Sequence, residues 1–131
     1  GNKKMIQIQT LLKVADNSGG KLVRCIKILK KGAKTRYAKV GDIIVVSVQQ
    51  IRAKNKLTSK VKKGDVLFGV IVQTRSLLKR SSGVSFCFNQ NAVVLLNKQF
   101  KPLASRILGV VPTELRNNKF SKIISLSLGV I

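Results

Sequence analysis

The chain has 131 residues, of which 26 are Lys or Arg, four are Asp or Glu and none is His, giving a formal net charge of +22 at pH 7. With 44% hydrophobic residues it has material for a core, so the charge does not signal disorder, and no apolar run approaches the roughly 18 residues a membrane-spanning helix needs. The absence of His, with Asp16, Asp42, Asp65 and Glu114 the sole carboxylates, excludes a Ser-His-Asp triad and a His metal site and leaves acid–base catalysis without a constellation.

The length suits one domain over 1–131, and the punctuation is that of a mainly β chain. Residues 5–9 alternate and predict the opening strand. Asp16-Asn17-Ser18-Gly19-Gly20 predicts a turn, because Asp and Asn bond their own backbone and Gly supplies positive φ. Residues 22–29 predict the next strand, and 30–37 a basic loop. Lys39-Val40-Gly41-Asp42 and Lys62-Lys63-Gly64-Asp65 rhyme at a spacing of 23, each leading into a β-branched run. Both read as Gly-Asp turns in a meander in which Asp accepts backbone N–H groups. Between them, residues 52–63 form a polar, Lys-rich loop. A strand is expected to continue over 70–74, a basic hairpin turn at 79–83, a return strand over 84–88 and a strand over 92–96. The consecutive apolar positions of 43–46 and 92–96 predict strands covered on both faces, as in a small barrel packed by an appendage or a partner. Residues 112–116 read as one or two helical turns. Phe120, Ile123, Ile124 and Ser127 fall on one helical face, opposite Lys119 and Lys122, which predicts a short amphipathic helix on the barrel.

Cys25 and Cys87 have no CxxC spacing and read as small buried hydrophobes in a reducing compartment, not as a zinc site. No phosphate-binding Gly loop and no metal or cofactor motif is present, and the first residues show no secretory or transit pattern. Binding is therefore the expected chemistry. A compact core with this charge calls for a polyanion, and nucleic acid rewards every engaged cation by counterion release. The cations are scattered along the chain, not gathered on an amphipathic helix, which argues against a membrane surface. Phe68, Phe86, Phe88, Phe100 and Phe120 all sit in apolar contexts and are expected in the core; Tyr37 alone lies in a basic loop. With no aromatic platform and no long basic helix, structured RNA read through phosphates and 2′-hydroxyls is favoured over splayed bases or duplex DNA. The rivals are a free-standing single-strand binder on an OB-like barrel, an interaction module whose charge serves only solubility, and a hydrolase using Ser or Asp, against which the missing His and paired acids argue.

Several stretches resemble the fourteenth protein of the large ribosomal subunit, of bacterial or organellar type. They include Met5-Ile-Gln-Ile-Gln-Thr10, Val14-Ala-Asp-Asn-Ser-Gly19, Cys25-Ile-Lys-Ile28, Arg36-Tyr-Ala38, Val40-Gly-Asp-Ile-Ile44, Lys62-Lys-Gly-Asp-Val-Leu67 and Gly69-Val-Ile-Val72. Arg106-Ile-Leu-Gly109, Glu114-Leu-Arg116 and Lys122-Ile-Ile-Ser-Leu126 extend the likeness to the tail. The resemblance implies a five-stranded β-barrel over about 5–100 and a C-terminal region of loops and short helices over about 101–131. It implies a structural, non-enzymatic role: binding large-subunit rRNA, packing on neighbouring ribosomal proteins and contributing to the subunit interface. It also implies contact with small-subunit rRNA at an intersubunit bridge, and with a ribosome-silencing factor. Ser105, Arg106, Arg116 and Ser125 are the candidates for that face.

The chain departs from the family pattern in four places. Ala104-Ser105-Arg106 replaces the usual Gly-Thr-Arg, the loop over 51–59 is longer, the terminus 127–131 differs, and four residues precede Met5. With the depletion of acids and the abundance of Lys, Asn, Ile and Ser, these departures point to a mitochondrial ribosome over a bacterial cytoplasmic or plastid one. The loop cations Lys31, Lys34, Arg36, Lys62, Lys63, Lys79 and Arg80 are the candidate rRNA-binding residues, Arg being able to meet a phosphate through two N–H groups.

Overall fold

Period-two alternation puts apolar side chains on one face of most strands, and the sheet buries that face by closing on itself. The computed structural model describes residues 6–29, 37–52, 59–117 and 120–131, the side chains of 116, 117 and 121 excepted. In chain order the elements are β1 (Leu11–Val14), β2 (Gly20–Leu29), β3 (Ile43–Ile51), β4 (Val66–Gln73), β5 (Leu78–Lys79), β6 (Ser85–Phe86), β7 (Ala92–Leu96), β8 (Val110–Val111), α1 (Glu114–Asn117), α2 (Ser121–Leu126) and β9 (Gly129–Val130). Strands β1-β2-β3-β4-β7 form a closed five-stranded barrel. All its neighbours are antiparallel except at the seam, where β1 and β7 run parallel with Lys13 opposite Ala92 and Val14 opposite Val93.

The barrel interior takes Leu12 and Val14 from β1, Val23 and Cys25 from β2, and Ile44, Val46 and Val48 from β3, all buried. Between Cys25 and Lys27 the β2–β3 register slips by one, so Ile26 is an extra residue left on the outside. Strand β7 is buried at every position, as expected for 92–96. The same expectation for 43–46 is corrected: Ile44 and Val46 point in, while Ile43 and Val45 are only half-buried on the outer wall. The two strands differ because the C-terminal segment lies over the outer face of β4 and β7. Ile107, Val111, Leu115, Ile123 and Ile124 join one core with Val70, Val72, Val94 and Leu96. Hydrogen bonds tie the cover down: Leu103 N–H donates to Leu95 O at 3.1 Å, and the Gln73 side-chain Nε2 donates to Val110 O at 2.8 Å.

The two rhyming segments are matching turns. Gly41 and Gly64 have φ of 89° and 92°. Asp42 Oδ2 accepts Lys39 N–H at 2.7 Å, and Asp65 Oδ2 accepts Lys62 N–H at 2.9 Å. A side chain at this φ clashes with its own backbone, so Gly holds the turn while Asp satisfies the donor it leaves open. The turn after β1 does more than predicted. Asp16, fully buried, accepts Ser18 N–H and Ser18 Oγ–H on Oδ1 and, through Oδ2, Leu95 N–H at 3.0 Å. One carboxylate thus stitches the β1–β2 turn to β7. Burial raises its pKa, against the lowering effect of those hydrogen bonds and of Arg52.

Other expectations need correction. The opening strand over 5–9 is absent from the described part of that stretch: Ile6 makes an isolated bridge to Ala38, and residues 7–10 turn, with Gln9 at φ 79°. The first barrel strand is instead β1, where Leu12 and Val14 give the alternation. The return strand over 84–88 shrinks to β6, because the 79–83 turn leads into a hairpin of only two residue pairs. Cys25 is buried as expected but Cys87 is exposed, since it lies beyond the end of β6. Phe100 is 44% exposed, not core, with its ring 4.7 Å from that of Phe68 on the outer wall. The helix over 120–127 is observed as α2, with Ile123 and Ile124 buried and Lys122 exposed. Of the expected basic and Lys-rich loops, 30–36 and 53–58 lie outside the described residues.

Candidate nucleic-acid interface

An antiparallel meander alternates its connections between the two ends of a barrel. The β3–β4 connection carries Lys62 and Lys63, both exposed, at one end. The β4–β7 connection carries the exposed Lys79 and the half-buried Arg80 at the other, together with Lys39 of the β2–β3 connection. The candidate cations therefore do not merge into one patch. Lys31, Lys34 and Arg36 lie outside the described residues.

Arg80 differs from a solvated lysine. Its Nε donates to Glu114 Oε1 at 2.8 Å, its Nη2 donates to the Ile131 backbone oxygen, and its guanidinium carbon lies 4.3 Å from the centroid of the Phe86 ring. It clamps the β5–β6 hairpin to the C-terminal segment. All four carboxylates of the chain accept hydrogen bonds from the protein itself: Asp16 in the β1–β2 turn, Asp42 and Asp65 in the twin turns, Glu114 from Arg80. Four carboxylates cannot neutralise 26 cations, so the folded chain keeps its strong positive field.

The candidates for the subunit face come together in part. Asn17 holds the loop after β7: its Nδ2 donates to Ser105 Oγ at 3.2 Å and its Oδ1 accepts Arg106 N–H at 3.1 Å. Ile107 N–H donates to Leu126 O, so the exposed Ser105 and Arg106 lie alongside the end of α2 that carries the exposed Ser125. Arg116 belongs to α1, and its side chain is outside the described ones.

The family model of ribosomal protein L14p/L23e matches residues 5–131. The chain belongs to this family. A place in the large ribosomal subunit, as a structural protein that binds rRNA and other ribosomal proteins, comes with membership, and the family is generally non-enzymatic. Among the described residues of this L14p/L23e chain no helix is long and apolar enough to cross a membrane.

Sequence reading passed over three cations that the L14p/L23e barrel gathers. Lys13 of β1, Lys21 of β2 and Arg52, just past β3, line a cleft of about 560 Å³ with Leu22, Gln90 and Leu108. The one signal available was the outward parity of Lys13 between the buried Leu12 and Val14. Nothing local links it to positions 21, 52, 90 and 108; barrel closure does. A second, apolar groove of about 280 Å³ lies on the outer wall, lined by Val45, Val66, Phe68 and Leu96 with Lys98 at its edge.

Proposed function

We propose that this L14p/L23e chain works as one domain that fixes large-subunit rRNA through phosphate contacts from both ends of its barrel. Lys62 and Lys63 serve one end and Lys79 the other, with Lys31, Lys34 and Arg36 adding to the same set. Arg80 contributes by holding the hairpin that presents Lys79. The observation that carries this reading is the charge balance of the fold: every carboxylate is engaged in holding the protein together, and exposed lysines occupy both ends.

The face built from Ser105, Arg106 and Ser125, with Arg116 of the adjoining helix, is the part we assign to the subunit interface. Small-subunit rRNA and a ribosome-silencing factor are its partners there. The anchoring of Ser105 and Arg106 by Asn17 supports a preformed surface. The exposed Val66 and Phe100 support packing against a neighbouring protein. Acid depletion and the Ala104-Ser105-Arg106 departure favour a mitochondrial ribosome.

Binding of the chain to large-subunit rRNA across a salt series tests the mechanism. With about 6–10 phosphates engaged, affinity falls by roughly 10³–10⁵ between 50 and 200 mM salt. A flat response overturns it, and efficient competition by an unstructured oligonucleotide favours the single-strand binder. Sedimentation of organelle lysates tests location: the chain travels with mitochondrial large subunits, and its absence there overturns that assignment.

A further inference from the structure

The cleft between the barrel wall and the C-terminal segment combines features that a plain basic surface lacks. Its size falls among small-molecule sites, about 300–1,000 Å³. Three cations from three separate strands or strand ends line it, and it also has apolar walls: Leu22 is half-buried and Leu108 is 45% exposed.

The polar groups are held from behind. Arg52 Nη2 donates to Val14 O at 3.4 Å, and its backbone N–H donates to Gly19 O at 2.9 Å, which keeps the residue at the cleft with further guanidinium donors to offer. Gln90 Nε2 donates to Gln73 Oε1 at 2.9 Å, and Gln73 in turn donates to Val110 O, so the Gln90 amide is oriented by a chain of bonds. Leu108 is fixed by its N–H to Ala15 O at 2.6 Å.

We infer that this cleft receives one unstacked nucleotide of the bound rRNA, with its phosphate among Lys13, Lys21 and Arg52 and its base between Leu22 and Leu108. A phosphate alone has no use for the apolar walls. An apolar protein side chain has no use for three cations. A nucleotide needs both, and it also offers base-edge donors to the Gln90 carbonyl oxygen. The apolar groove on the outer wall serves as an internal contrast, since it offers a base no comparable ring of cations. The inference rests on the rRNA-binding reading above and adds a place and a mode to it.

The test uses the full chain and large-subunit rRNA. Lys13→Gln with Lys21→Gln weakens binding and lowers the slope of log affinity against log salt by up to about 1, since one lost phosphate contact removes about 0.7–0.9. Leu108→Ala, on an exposed side chain that spares the core, weakens binding several-fold and leaves the slope unchanged. In NMR titrations, adenosine or uridine monophosphate shifts the Leu22 and Leu108 methyl signals, whereas inorganic phosphate does not. Wild-type affinity in both variants overturns the cleft while the rRNA reading stands. Failure of the unaltered chain to bind rRNA overturns the reading beneath it. Equal methyl shifts with inorganic phosphate, or with a Glu-rich peptide, reduce the cleft to an anion or acidic-protein site and overturn the nucleotide.

Discussion

Arg80 Nε and Glu114 Oε1 lie 2.8 Å apart across 34 positions of sequence, joining a two-stranded hairpin to the first helix of the C-terminal cover. Each side chain is little more than a quarter exposed, so solvent screens the pair less than at an open surface. The pair carries position as well as energy: without it the hairpin that presents Lys79 loses its hold on α1.

A double-mutant cycle with Arg80→Gln and Glu114→Gln is expected to give a coupling of about 1 kcal/mol in chemical denaturation. The Arg80 variant costs more than its partner does, because it also loses the Phe86 ring and the Ile131 oxygen. Additive single changes would mean that the contact holds nothing.

Asp16 predicts an unusual pH response. Its native pKa is raised by burial, so the folded state binds more protons than the unfolded one between the ordinary carboxylate value and the raised value. Stability from this group therefore increases as pH falls through that window and is lost as pH rises through it. Asp16→Asn removes the dependence and leaves an N–H or hydroxyl of Ser18 or the N–H of Leu95 short of an acceptor, costing about 1–3 kcal/mol. Melting curves from pH 7 down to about pH 4 are expected to show the wild-type advantage over the variant widening toward acid.

Gly64 and Gly19 separate two costs of adding a methyl group. Gly64 has φ 92° with open space around its missing Cβ, so Gly64→Ala bears only the backbone penalty, roughly 1–2 kcal/mol. At Gly19 a Cβ would lie 2.2 Å from Ser59 Oγ and 2.9 Å from Ser59 Cα. Gly19→Ala is thus expected to lower the melting temperature distinctly further, and to break the bond from Lys60 N–H to Ser18 O.

Leu115 is fully buried where α1 meets the barrel cover. Leu115→Ala is expected to cost about 2–5 kcal/mol. If the chain is one domain, the loss appears as a shift of a single cooperative transition by calorimetry. An early separate transition of the C-terminal segment would divide it in two.

The parts of the fold that could be read ahead of the structure are those whose chemistry is local. The twin turns at Gly41 and Gly64 needed a residue tolerant of positive φ and a short carboxylate, and both were visible side by side. Strand β7 was visible as five apolar positions in a row. The short β1 was missed because its alternation spans four residues next to the misleading run over 5–9, which Gln9 breaks with a left-handed turn. Cys87 and Phe100 were misplaced because they lie beyond the ends of β6 and β7, where the core stops. In the candidate interface, exposed loop lysines were legible from composition. The engagement of Arg80 and the grouping of Lys13, Lys21 and Arg52 were not, because each depends on residues brought together only by the closing of the sheet.

The seam has a consequence for how the molecule is born. Val14 meets Val93 across 79 positions, so a nascent chain growing from its amino end has an unsealed trough until β7 has left the tunnel. The outer cover comes later still, with Ile107 to Ile124. A translational stall or truncation before residue 93 would release an oily half-pipe with a bare strand edge. The abundant lysines, mutually repelling, then become the safeguard that keeps such unfinished copies apart.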